Sequence, residues 1–166
     1  MTLAYAGTMN SPMGEIWLCA TEDGLCYVAF DAPDVEAWPF GKRYGIQPVF
    51  VSFHERLEPT RKQLKRYFDG DLQEFDLSLD VRGTVFQRNV WQLLSEIPYG
   101  ETRTYGDIAM MLGKPKAARA VGQAVGANPI SIVVPCHRIV GSDGTLTGYG
   151  GGLARKQFLL ELEQAA

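Results

Sequence analysis

No stretch of this sequence stays apolar for the roughly 20 residues that a bilayer-spanning helix needs. The first residues, Met1-Thr2-Leu3-Ala4-Tyr5, lack the basic region and apolar block of a secretory leader, so a cytoplasmic setting without membrane contact is expected. Cysteine is scarce, and its count of three is odd, which argues against a disulfide framework. In a reducing compartment a thiol is then free for chemistry. Internal repeats and low-complexity segments are absent from the sequence as well. The glycines are spaced neither as a phosphate-cradling loop nor as a dinucleotide fingerprint, and both readings are rejected. An excess of basic charge is also missing: the formal net charge is −3, the wrong sign for a nucleic-acid binder.

The distribution of charge softens that last objection. Residues 1–101 carry 9 basic and 15 acidic side chains, whereas residues 102–166 carry 7 basic and 4 acidic. Between Thr102 and Arg138, the basic residues Arg103, Lys114, Lys116, Arg119 and Arg138 stand against Asp107 alone. A local basic face can dominate phosphate contact in an acidic protein, although ordinary charge scatter accounts for the same count. With 166 residues, 46% of them hydrophobic, the chain has enough material for one or two small globular domains with a good core.

Two strands are expected over 15–20 and 25–30, joined by the turn Thr21-Glu22-Asp23-Gly24. Prolines and glycines break up 31–53, leaving loop and a short edge strand. A helix is expected from Glu55 to Phe68, where Leu57, Leu64, Tyr67 and Phe68 recur at helical spacing and Asp69-Gly70 makes the stop. Residues 72–82 read as a short strand or an extended linker. Thr84 with Gln87 makes a capping box, ahead of the apolar helical face Phe86, Val90, Trp91 and Leu94. Thr104 with Asp107 opens another helix through Leu112, Gly113-Lys114-Pro115 breaks it, and a further helix runs from about Lys116 to Gly126. Two short helices around a tight turn are the outline of a helix-turn-helix. The second is nearly stripped of bulk, with Arg119 and Gln123 protruding; tight helix packing and insertion into a DNA groove both fit. Ile130–Val134 reads as a buried strand or extended segment, and a closing helix is expected over Leu153–Glu163. The chain is therefore expected to be α/β (α+β). Residues 1–80 would form a small β-sheet with a helix. Residues 81–166 would be mainly helical and hold the helix-turn-helix.

The most informative run is Val133-Val134-Pro135-Cys136-His137-Arg138. Cysteine is a strong nucleophile only as the thiolate, which a nearby base or cation produces at neutral pH. Cys136 beside His137 is thus a candidate reactive thiol, although His137 could equally be a structural core histidine. Downstream, Gly148-Tyr149-Gly150-Gly151-Gly152 suggests a loop that approaches a ligand or another backbone closely.

The run Val134-Pro135-Cys136-His137-Arg138-Ile139 resembles the signature of the O6-alkylguanine-DNA alkyltransferases, a family of direct-reversal DNA repair proteins. The likeness extends over residues 84–163. It takes in Phe86-Gln87, Ile97-Pro98-Tyr99-Gly100, Thr104-Tyr105-Gly106, Ala117 to Gly122, Asn128-Pro129, the glycine loop and Lys156 through Glu163. Residues 1–80 match in broad pattern only.

The resemblance implies irreversible transfer of an alkyl group from O6 of guanine, and from O4-alkylthymine, in double-stranded DNA to Cys136. It implies that His137 takes the thiol proton through a water, that Glu163 orients the imidazole, and that Asn128 is a hinge. Tyr105 would donate towards N3 of the leaving guanine. The carbonyls of Cys136 and Ile139 and the amide of Gly150 would read the base, and Tyr149 would wall the pocket. Because the target base must leave the duplex, Arg119 would fill its place in the stack. Thr104, Ala118, Gln123 and Lys156 are placed with these residues at the DNA and substrate surface. Minor-groove readout is degenerate, which suits a protein that scans any sequence. A thioether with no second nucleophile to remove it implies one turnover per molecule.

No cofactor or metal is expected: Cys19, Cys26 and His54 are one ligand short of a closed zinc site, and both cysteines read as buried hairpin residues. A monomer is expected, with cooperative assembly on DNA left open. Three other readings compete. A DNA-binding module without transfer is disfavoured by the presence of Cys136. A cysteine hydrolase is disfavoured because adjacent residues in an extended chain point apart. A piece of a larger regulator is disfavoured because no further domain is visible.

Overall fold

The computed structural model describes residues 1–165. The chain divides into two compact units, 1–82 and 83–166. The first is built on a four-stranded sheet from β1 (Thr2–Ser11), β2 (Gly14–Thr21), β3 (Gly24–Ala29) and β4 (Ile46–Phe50), in the order β3-β2-β1-β4. β1, β2 and β3 form an antiparallel meander, and β4 pairs parallel to β1. The hairpin predicted over 15–30 is β2–β3. β1 is not evident from the sequence: it alternates only in part, and its inward positions Ala4 and Ala6 are small.

A parallel pair needs a crossover, and the segment containing α1 (Pro39–Tyr44) provides it. Trp17, Tyr27, Trp38 and Phe40 pack edge-on or tilted at centroid distances of 5.1–5.6 Å. Cys19 and Cys26 are fully buried in the same core, where the Cys26 thiol donates to the Cys19 carbonyl. His54 stacks on Tyr5 at 3.6 Å. α2 (Glu58–Phe68) begins three residues later than the apolar spacing suggests, with Pro59 in its first turn, where a missing N–H costs nothing. Residues 72–82 meet the sheet through a bridge between Leu25 and Leu79 and through the Thr21 hydroxyl, which donates to Asp80 at 2.6 Å.

The second unit holds α3 (Val85–Ser95), β5 (Arg103–Thr104), α4 (Tyr105–Met111), α5 (Ala118–Gly126), a short 3-10 helix (Cys136–Arg138), β6 (Ile139–Val140) and α6 (Leu153–Ala165). Both capping boxes form: Thr84 with Gln87 opens α3, and Thr104 with Asp107 opens α4. α4 and α5 pack on each other and on α3, and the Trp91 indole donates to the Ala124 carbonyl at 2.8 Å. Gly113 takes the left-handed φ of +70° that ends α4 without steric cost. No helix of the described residues is long and apolar enough to cross a membrane.

The strand or extended segment expected over Ile130–Val134 does not form. Val134 N–H closes a turn onto the Ile130 carbonyl at 3.0 Å instead. The Asn128 side chain causes this: its amide donates to the Val134 carbonyl at 2.9 Å, and its oxygen accepts from Ile130 N–H at 3.0 Å. Side-chain bonds of this kind compete with a sheet ladder for the same backbone groups. The turn forces Ile132 to φ +70°, a strained conformation for a β-branched residue that costs about 1–3 kcal/mol.

Candidate active site

Cys136 begins the 3-10 helix directly after this turn and is 7% exposed. β6 follows at once and pairs with β5 (Arg103 with Ile139), so the reactive segment is held at both ends: by Asn128 before it and by the strand pair after it. Burial pushes the Cys136 thiol up, against the smaller pull of the Asn128 amide and the Lys156 ammonium. The resting group is therefore the thiol, not the thiolate that adjacency to His137 suggested. A base must remove its proton during the reaction.

His137 is fully buried, and its Nε2 lies 2.7 Å from Glu163 Oε1 on α6. Burial lowers the affinity of the ring for a proton, partly opposed by its bond to Glu163, so the imidazole is neutral at pH 7. Glu163 resists burial in the opposite sense. Burial alone would raise its carboxyl, but hydrogen bonds from His137 and Arg138 hold it at about 2. A carboxylate only accepts hydrogen bonds, so the ring proton sits on Nε2 and the lone pair on Nδ1. Nδ1 is buried with no hydrogen-bond partner among the described residues. A neutral imidazole with a free lone pair beside a thiol is a general base in waiting.

Arg138 completes the cluster. Its Nε donates to both carboxylate oxygens at 3.2 and 3.0 Å, Nη2 to Oε1 at 2.8 Å, and Nη1 to the Ile97 carbonyl at 2.6 Å. By charge count along the sequence this residue belongs to a basic DNA face. The structure removes it from that face, because it is 6% exposed and fully engaged inside the unit. The signal lay in its position: it continues the same buried run as Cys136 and His137.

Lys156 is also buried, and its ammonium donates to the Thr147 carbonyl at 2.8 Å. It is not on the exposed surface where a phosphate contact would be made. Burial lowers its proton affinity, against the opposing influence of Cys136. The Tyr105 and Thr147 hydroxyls share a hydrogen bond of 2.9 Å. Thr147, a residue that sequence reasoning missed, thus ties the first residue of α4 to the loop before α6 with its hydroxyl and holds Lys156 with its carbonyl. The Tyr105 ring also lies over Gly122 of α5, where an added Cβ would sit 3.6 Å from it.

Tyr149 is half-buried, and burial raises its hydroxyl well above the usual range. Gly150 is exposed, with space around its Cα, and Ile139 is fully buried. Arg119 and Gln123 project from the exposed side of α5, Ala118 is half-buried at its start, and Thr104 is committed to capping α4. The structure therefore gathers Cys136, His137, Glu163 and Lys156 into one buried cluster, with the half-buried Asn128 at its edge. Tyr105 sits beside it through Thr147, and Arg119 and Gln123 lie on a separate, solvent-facing surface of the same unit.

Known proteins resemble both units. Residues 4–81 match the family model of the 6-O-methylguanine DNA methyltransferase ribonuclease-like domain, and residues 85–165 match that of the 6-O-methylguanine DNA methyltransferase DNA binding domain. The methylated-DNA–protein-cysteine methyltransferase of Methanosarcina acetivorans is 48% identical over 159 residues, covering 96% of this chain and 97% of that one. Its namesake from Haemophilus influenzae is 42% identical over 165 residues, covering 99% and 88%. The crystal structure of Mycobacterium tuberculosis OGT in complex with DNA superposes with a TM-score of 0.83 at 46% identity, covering 97% of this chain and 93% of that one. With both units matched in order across nearly its whole length, the chain belongs to the 6-O-methylguanine DNA methyltransferase family.

Proposed function

We propose that this protein repairs double-stranded DNA by moving the alkyl group of O6-alkylguanine onto Cys136, once per molecule. The observation that carries the reading is the buried His137 ring, whose Nε2 lies 2.7 Å from Glu163 and whose Nδ1 has no hydrogen-bond partner among the described residues, on the residue that follows a buried thiol. The thiol proton passes through a water to Nδ1. The sulfur attacks the alkyl carbon as the O6–carbon bond breaks, and negative charge develops on the guanine ring. The Tyr105 hydroxyl, released from Thr147, donates towards N3; the guanine anion finally takes a proton at N1 from water, and the His137 imidazolium returns the thiol proton to solvent. The carbonyls of Cys136 and Ile139 and the amide of Gly150 read the base, with Tyr149 as a wall. O4-alkylthymine presents a similar alkyl–oxygen bond and is the second substrate.

A stacked base cannot reach a buried thiol, so the nucleotide must be extruded. The exposed Arg119 on the small-residue helix α5 supports a role as the side chain that occupies the gap. Gln123, Ala118 and Thr104 line the same approach, and Lys156 shapes the site from within. Asn128 sets the turn that presents Cys136. The protein acts as a cytoplasmic monomer and can assemble cooperatively on DNA. No metal or cofactor takes part in this scheme.

Titrating the protein with excess O6-methylguanine duplex tests the reading. Repaired guanine should plateau at one equivalent per protein molecule, because the thioether has no route back to thiol. Product rising steadily beyond one equivalent would contradict it and favour a turnover enzyme.

A further inference from the structure

The relay uses Cys136, His137 and Glu163 and leaves Arg138 without a task. Yet every arm of that guanidinium is spent on the protein: two nitrogens on Glu163, the third on the Ile97 carbonyl, with the Tyr99 ring 5.8 Å away. Stability alone is a poor reason for such a residue, since buried ion pairs are often no better than apolar packing. The geometry offers another reason. Glu163 Oε1 accepts from His137 Nε2 at 2.7 Å and from Arg138 Nη2 at 2.8 Å, so one oxygen is divided between ring and guanidinium.

In a dry site, a carboxylate given wholly to an imidazole favours the imidazolium. That form carries N–H on both nitrogens and has no lone pair to accept a proton. We propose that Arg138 is a positioning residue of the relay: by sharing Glu163 Oε1 and standing as a cation beside the ring, it keeps His137 neutral, with its lone pair on Nδ1, until the thiol proton arrives. This rests on the alkyl-transfer reading, but its main test does not require transfer.

The groups that face the relay are few. Glu163 and Lys156 come from α6, and Cys136 and Arg138 from the ring's own turn. Tyr149 lies near Cys136 and Glu163, and Tyr99 near Arg138 and Glu163. The buried residues of α3, which packs on the turn, are Val90, Trp91 and Leu94 and bring no charge. Lys156 also disfavours a cation on His137, so only a change at Arg138 separates its share.

The chain has two histidines, and His54 in the first unit serves as an internal reference. Imidazole nitrogen NMR on the full chain should show His137 neutral, with its proton on Nε2, at neutral pH. In Arg138→Gln, which can still donate a hydrogen bond but has no charge, the His137 midpoint should rise by at least about one pH unit, while His54 does not move. Single-turnover transfer in that variant should then fall about fivefold at the pH of the parent's own His137 midpoint and by less than about twofold near pH 9, since a midpoint one pH unit higher cuts the neutral fraction of the ring at the first pH from about one half to about one eleventh. Arg138→Lys, which keeps the charge but loses the two-pronged hold, should move His137 in the same direction by less. If the glutamine variant does not fold, the His137 midpoint in the lysine variant decides. An unmoved His137 midpoint in a folded variant, or a rate lost by the same factor at every pH, would overturn the proposal. Absence of transfer in the unmodified protein would instead sink the alkyl-transfer reading and leave the NMR result to be judged separately.

Discussion

Replacing Glu163 by alanine is expected to cost about 3–5 kcal/mol of folding stability at neutral pH, the usual effect of removing one partner from a buried ion pair. The residue is 3% exposed, and its loss strands the Arg138 cation and the His137 Nε2–H without their acceptor. The pH dependence has a definite sign. The Glu163 carboxyl stands at about 2 in the folded chain against an ordinary 4.5, so the native state binds the proton less tightly than the unfolded one. Its contribution, on the order of 3 kcal/mol, is fully present above the unfolded value and disappears as pH falls towards 2.

His137 acts in the same direction. Its folded proton affinity lies below the ordinary 6.5, so stability also declines as pH falls below that value. Urea denaturation across this range should show a steep acid limb in the parent and a shallower one in Glu163→Ala. Glu163→Gln keeps an acceptor of similar shape without its charge, and transfer should slow by about a hundredfold or more as the base loses its orienting partner. Equal acid limbs in parent and alanine variant would contradict the electrostatic account of the cluster.

Cys136→Ser should reduce alkyl transfer below detection while leaving the affinity for undamaged duplex within about twofold, because the DNA surface is separate from the thiol. A hydroxyl is far less acidic than a thiol and a much weaker nucleophile towards an alkyl carbon. The salt dependence of binding in this variant should match that of the parent, with a log–log slope of about −0.9 for each phosphate neutralised. Weakened duplex binding in a folded Cys136→Ser would mean that the thiol segment and the DNA surface are coupled, contrary to their placement here.

Much of this arrangement is legible in the sequence because it is local. The two capping boxes, the stops at Asp69-Gly70 and Gly113, and the β2–β3 hairpin depend on residues a few positions apart, and their chemistry is written in the chain. The Cys136–His137 pair is legible for the same reason. Sequence and structure part where a distant or competing partner decides. Ile130–Val134 has the apolar, β-branched character of a strand, but the Asn128 side chain takes two of its backbone groups and folds it into a turn. Arg138 counts as a surface charge until a carboxylate 25 residues away, on α6, is brought against it. Adjacency hints at a thiolate, and only burial, which no local motif announces, shows that the resting group is a thiol. Thr147 carries no signal in the sequence, since its importance comes from the two side chains that converge on it.

The most direct measurement is intact-protein and peptide mass spectrometry after incubation with duplex DNA carrying O6-methylguanine. The account predicts a gain of one methyl group, located on Cys136, with Cys19 and Cys26 unmodified and the guanine restored. An unmodified Cys136 alongside repaired DNA, or a methyl group found on another residue, would contradict it.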